Sequence, residues 1–147
     1  MNVISDTPVV STTAYVAGDA VGGLLTFNGA DPMGMLHSVS VTDSDQVAKS
    51  LDLVVFRQLF TPTADNDPFT VQAADQSKLV AVISLTDVQY SNLGSISIAV
   101  ANQLGIPFVC GGENAALYGQ LVARDDITYT QVDALTVTVG LLSDGGF

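Results

Sequence analysis

Apolar and polar residues alternate along most of this chain in short runs, and glycine, aspartate or proline interrupts the pattern between them. A period of two puts successive side chains on opposite faces of an extended backbone, so the pattern predicts antiparallel strands separated by turns. VGGLLTF (21–27) ends in apolar residues after a glycine pair. In LHSVSVTD (36–43), His37, Val39 and Val41 share one face, while Leu36, Ser38, Ser40 and Thr42 share the other. SLDLVVF (50–56) is apolar on both faces, which predicts a strand covered from both sides. VAVISL (80–85), SISIAVA (95–101) and IPFVC (106–110) follow, with Ile96, Ile98 and Val100 expected to point inward. ALYGQLVAR (116–124) precedes ALTVTVGLL (134–142), where Leu135, Val137, Val139 and Leu141 oppose Thr136, Thr138 and Gly140.

An early extended piece, PVVSTTAYV (8–16), brings the count to about eight or nine strands at steady spacing. The expected fold is therefore all-β: an antiparallel β-sandwich, jelly-roll-like, with one or two short helical turns. One such turn is expected where Asp75 caps Gln76, Ser77 and Lys78. A second is expected around Asn102 to Gly105, stopped by the glycine. No repeat or linker divides the sequence, so residues 1–147 form one β domain with an extended N-terminal arm. The short C-terminal tail, SDGGF, is expected to be flexible and to fray unless a neighbour binds Phe147.

Composition sharpens this picture. The 147 residues are 48% hydrophobic but only 13% charged, about half the usual charged share of ~25%. A chain of this length buries roughly 70% of its unfolded surface and supports one core. With so few charges, the exterior is expected to be covered partly by Ser, Thr, Asn and Gln and partly by other subunits. The net charge of −11 sets fifteen acids against Lys49, Arg57, Lys78 and Arg124. Phosphate binding needs clustered cations, which excludes nucleic acid and an anionic membrane surface as expected partners. Fourteen of the acids are Asp, Glu113 being the exception; Asp favours turns, so the acids count loops. The N-terminus lacks a signal-peptide pattern and no apolar run approaches a membrane span, so synthesis in a cytoplasm is expected.

Candidate chemistry is sparse. TPTADNDPFT (61–70) sets Asp65 and Asp67 around Asn66, a spacing that suits either a calcium ion or a turn. A helix–loop–helix calcium site would need a glycine where Phe69 falls and a late Glu, so the stretch reads as a turn closed by its acids. Cys110 is the single cysteine and reads as a small apolar residue ending its strand, which leaves no intramolecular disulfide or zinc cluster. His37 is the single imidazole and reads as a half-buried member of its strand. A hydrolase would need it beside an Asp and a Ser, yet no Gly-x-Ser-x-Gly elbow is present. VCGGEN lacks the Lys-Ser/Thr ending of a phosphate cradle. Glu113 could pair with an Asp as in a glycosidase, but fifteen acids make such pairs unspecific. Asp125 and Asp126 beside Tyr129 read as a hairpin rim. No catalytic residue, cofactor or metal ligand set emerges. Met33, Met35 and Leu36, in DPMGMLH, form an adaptable apolar cluster that is either an interface patch or ordinary core.

Several strings occur in a familiar order: AYVAGDAVGGLLTF (14–27), LDLVVF (51–56), a Thr-Pro loop ending DNDPFTV (65–71), AADQSKLVAVISLTD (73–87), LYGQLVARDDITYT (117–130) and LTVTVGLL (135–142). In that order they resemble small capsid decoration, or cement, proteins of tailed bacteriophages. The resemblance spans nearly the whole chain, with Arg57 standing where such sequences often carry an acid. It implies a β-rich virion protein, not an enzyme, that forms a homo-oligomer, most simply a trimer. Such an oligomer would bind the major capsid protein on the outer capsid surface after synthesis in the host cytoplasm. Another virion part of similar architecture is the alternative: a head-fibre base, a tail protein or a host-glycan binding module. For a glycan binder the absence of Trp and the presence of only four Tyr leave few aromatic platforms.

Overall fold

The structure, a computed structural model, describes residues 1–112 and 115–143. Among the described residues ten strands follow one another: β1 (Asn2–Asp6), β2 (Ala20–Asn28), β3 (Met33–Asp43), β4 (Leu51–Phe56), β5 (Leu79–Leu85), β6 (Tyr90–Asn92), β7 (Ser97–Ala101), β8 (Ile106–Val109), β9 (Ala116–Ala123) and β10 (Leu135–Leu142). They build two antiparallel sheets packed face to face, an all-β sandwich as the alternation predicts. The larger sheet runs β1-β10-β3-β7-β6, with β8 pairing β3 beyond the end of β7; the smaller runs β2-β9-β4-β5.

Period-two patterning decides what lies between the sheets. From β10, Leu135, Val137 and Val139 point inward; from β4, Leu51, Leu53 and Val55 do the same, all fully buried. Phe27, Leu117 and Leu121 add bulk from the smaller sheet. Tyr15 and Tyr129 close one end of this core edge-to-face, their ring centroids 6.3 Å apart, a geometry that sets the positive edge of one ring against the negative face of the other.

The strand β4 is buried at every position, as expected from apolar residues on both its faces. Its outer face, Val54 and Phe56, packs with Val122 and Phe60 in a second apolar cluster bordered by Leu24, Phe69, Val71 and Tyr118. Phe56 and Phe60 stack at 3.7 Å with rings 13° from parallel. The segment after β4 thus folds back as a cover over the smaller sheet. Arg57 Nε donates to the Ser77 carbonyl at 3.2 Å, and Lys78 Nζ donates to the Leu59 carbonyl at 3.0 Å, fastening the cover at its hinges.

Four expectations are corrected. Residues 8–16 form no strand; the N-terminal strand is β1, and only Tyr15 bridges, to Ile127. The segment crosses the end of the sandwich instead, with the Val10 amide on the Val132 carbonyl and Pro8 packed over Gly22, where an added Cβ would come within 2.8 Å of the proline. Ile96, Ile98 and Val100 point outward, and Ser97 and Ala99 are the buried residues of β7. There β7 meets β5 of the opposite sheet, and only small side chains fit between them. Residues 102–105 form no helical turn; the second short helix is Asp87–Gln89, where Gln89 Oε1 accepts the Thr86 amide at 2.7 Å. Finally, Asp75 lies inside the 3-10 turn Ala73–Lys78 rather than capping it, and Gln72 occupies the cap position. Its carboxylate instead accepts the Thr61 amide at 2.9 Å and pairs with Lys78 at 2.7 Å.

Candidate functional site

The outer face of the larger sheet has no cover among the described residues. Within its six strands only Asp6 and Asp43 are charged, and both sit at strand ends. Neither reaches the outer face. Asp6 accepts the Thr7 and Thr26 amides at 2.9 and 2.8 Å. Asp43 is fully buried and accepts the Asp45 and Ala48 amides at 2.9 and 3.0 Å. The middle of the face is a field of hydroxyls: Ser5 Oγ and Thr138 Oγ1 lie 2.7 Å apart across β1 and β10, and the Ser38 hydroxyl lies over Gly140. Ile98 and Val100 border this field on β7, where Val100 is 40% exposed opposite Ser40.

Toward the start of β3 the face becomes apolar. Register places Met33 opposite Val109, and Met35 between Pro107 on one side and Leu142 on the other. Together with Gly34, Phe108 and Ser143 they line a groove of about 490 Å³. Gly34 is required at the floor: a Cβ there would meet the Leu142 carbonyl at 2.6 Å and the Phe108 ring at 3.2 Å. Met33 is 50% exposed, Met35 39% and Val109 56%, a concentration of large apolar surface that isolated surface residues do not produce.

Of the residues singled out from sequence, Met33 and Met35 therefore lie together on the surface. Leu36 does not; it is fully buried core. The physical cause is a bulge. β3 pairs Leu36 with Leu141 and Ser38 with Gly140, so His37 is an extra residue that no position of β10 opposes. An inserted residue inverts the facing of everything before it, which turns Leu36 inward while Val39 and Val41 keep their place. His37 itself is half-buried. Phe147 and Glu113 lie outside the described residues. Val109, Pro107 and Leu142 escaped the sequence reading because each sits in a strand whose other face also carries apolar residues, and hydrophobicity alone does not tell inside from outside.

Residues 64–67 form a turn closed by backbone, the Asp67 amide donating to the Ala64 carbonyl at 3.1 Å, while the Asp65 carboxylate reaches outside it. Asp65 Oδ1 accepts the Tyr15 hydroxyl at 2.6 Å and the Gly22 amide at 2.7 Å, while Tyr15 Oη accepts the Ser11 amide at 2.7 Å. Burial, and then this bond to Asp65, raise the Tyr15 phenol above its ordinary value. Asn66 takes a left-handed φ of 67°, which its short amide side chain tolerates. The buried Gln120 ties this loop to the bulge of β2: its Nε2 donates to the Gly22 and Thr63 carbonyls at 3.1 and 2.6 Å, and its Oε1 accepts the Thr63 amide at 3.0 Å.

The remaining candidates are likewise structural in their contacts. Asp125 and Asp126 accept the Ser50 and Ala17 amides, and Tyr129 is buried against Tyr15. Cys110 packs against the core, and burial pushes its thiol up, away from the reactive thiolate. No group of three or more His, Cys, Asp or Glu side chains capable of holding a metal ion occurs among the described residues. No described helix is long and apolar enough to cross a membrane. Comparison with models of protein families, with curated proteins and with solved structures finds no match to this chain.

Proposed function

We propose that the protein is a structural component of a phage virion, an oligomer that sits on the outer surface of the capsid and stabilises the lattice of the major capsid protein. The observation that carries this reading is the uncovered face of the larger sheet, apolar at one end and free of charge among the described residues. In a chain of net charge −11 such a face is expected to be sheltered by other subunits. The strand order supports the same reading. β1-β10-β3-β7 opposing β2-β9-β4-β5 is compatible with an eight-stranded jelly roll, an architecture recurrent in capsid and lectin domains. The order of strings that resembles capsid decoration proteins of tailed phages favours the same reading.

The mechanism would be mechanical. Each oligomer, most simply a trimer, bridges neighbouring capsid subunits, and contacts made only with the assembled lattice stabilise that state by mass action. Repetition over many sites turns modest affinities into resistance to internal pressure. Acidity suits the outside of a head, away from packaged DNA. The test is reconstitution. Purified protein added to heads lacking it should co-sediment with them and raise the temperature at which they release DNA. Heads that neither retain the protein nor gain heat resistance would rule the role out.

A further inference from the structure

We infer that the outer face of the larger sheet is where copies of this chain meet one another, with the Met33–Val109 groove as the apolar end of the contact. The inference deepens the proposed oligomeric role and rests on it. Its first support is electrostatic. Two bodies of net charge −11 repel at every approach that brings carboxylates together. On this face that repulsion is low, because the strands carry only Asp6 and Asp43, both turned onto backbone amides away from the outer face. Acids held in the loops are screened beyond about 8 Å at physiological salt. A cation-bearing partner would gain nothing here, since no described side chain on the face could pair with it.

The second support is area. Five neighbouring strands at about 4.8 Å spacing, crossed by about 27 Å of β10, give a face on the order of 650 Å². That is close to the ~800 Å² per partner of a standard interface. The third is composition: Met33, Met35, Val109 and Leu142 at one end, then hydroxyls of Ser5, Ser38, Ser40 and Thr138. An apolar patch beside uncharged polar groups, with Met present and charge absent, matches the composition of interface cores.

The experiment is the mass of the purified full chain in solution, by light scattering after gel filtration, across protein concentration and from 0.05 to 0.5 M NaCl. The wild type should be oligomeric, and salt should tighten association, because only repulsion remains to be screened. Met33→Asp and Val109→Asp should each raise the dissociation constant by on the order of 100-fold, since each sets an unpaired carboxylate in a desolvated contact. Their far-UV circular dichroism and urea midpoints should stay at wild-type values, both residues being half exposed. Val82→Asp, at an exposed apolar position on β5 of the smaller sheet, should leave association unchanged. The inference is overturned by an oligomer that Met33→Asp and Val109→Asp both leave intact, or by association that salt weakens. A wild type that stays monomeric overturns it too. If such a monomer still sediments with heads and Met33→Asp abolishes that, the face belongs to the capsid lattice, and the proposed role survives without this inference.

Discussion

The two sheets solve the same problem in opposite ways. Each has an inner face committed to the shared core and an outer face that still carries large apolar residues. The smaller sheet shelters β4 and β9, leaving Leu79 and Val82 exposed at its β5 edge: Phe60 lies on Phe56, Val54 and Val122 are buried, and Lys78, Arg57 and Asp75 fasten the covering segment. The larger sheet leaves Met33, Met35, Val100 and Val109 partly bare. One chain therefore contains both a finished surface and an unfinished one, built from the same alternating strands. The difference teaches that exposure here is selective: the chain can cover a sheet, and it does so on one side only.

That contrast can be broken most forcefully from the covered side. Phe56→Ala removes a fully buried ring and its stacking partner's support, and should cost about 3–5 kcal/mol in urea unfolding. Gln120→Leu strips the buried amide that holds Thr63 and Gly22. Three backbone groups lose their partner, and a loss of about 2–3 kcal/mol is expected by the same measurement.

A subtler probe is pH. Lys78, then the Thr61 amide, hold the Asp75 carboxyl below the ordinary aspartate value, so folding favours its ionised form. That contribution is present above about pH 4 and is lost as pH falls through the lower folded value. Protection factors of the amides in 57–78, with exchange taken relative to its pH-dependent intrinsic rate, should therefore fall on acidification in the wild type, and the Asp75→Asn protein should show the lowered protection already at neutral pH. On the bare side Val100→Thr should change the unfolding free energy of the isolated chain by no more than about 0.5 kcal/mol. A larger loss would mean that this face is part of the monomer's own core.

Much of the architecture was legible because a period of two is a strong signal wherever one face is buried and the other wet. β10 reads directly from Leu135, Val137, Val139 and Leu141, and the double coverage of β4 follows from its unbroken apolar run. The signal failed where its premise fails. In β7 the apolar residues face out and Ser97 and Ala99 face in, since the local spacing of the sheets, which no residue announces, admits only small side chains. In β3 the extra residue at His37 resets the facing, and nothing in LHSVSVTD marks it. The candidate site was half legible for the same reason: Met33 and Met35 stand out as flexible thioethers after a turn, whereas Pro107, Val109 and Leu142 join them only through strand pairing.

One of those partners has a consequence of its own. The Cys110 amide donates to the Pro32 carbonyl, and with Met35 opposite Pro107 the register aims the nitrogen of residue 107 away from β3, toward the open margin of the sheet. Being proline, it has no hydrogen there to offer. The Val109 nitrogen faces the same margin, and the one beyond it, that of Gly111, is already taken by the Arg57 carbonyl at 2.9 Å. An incoming strand finds little to zip onto. At the β8 margin ribbon-by-ribbon growth is thus hindered, while molecules carrying a greasy face can still stack face to face.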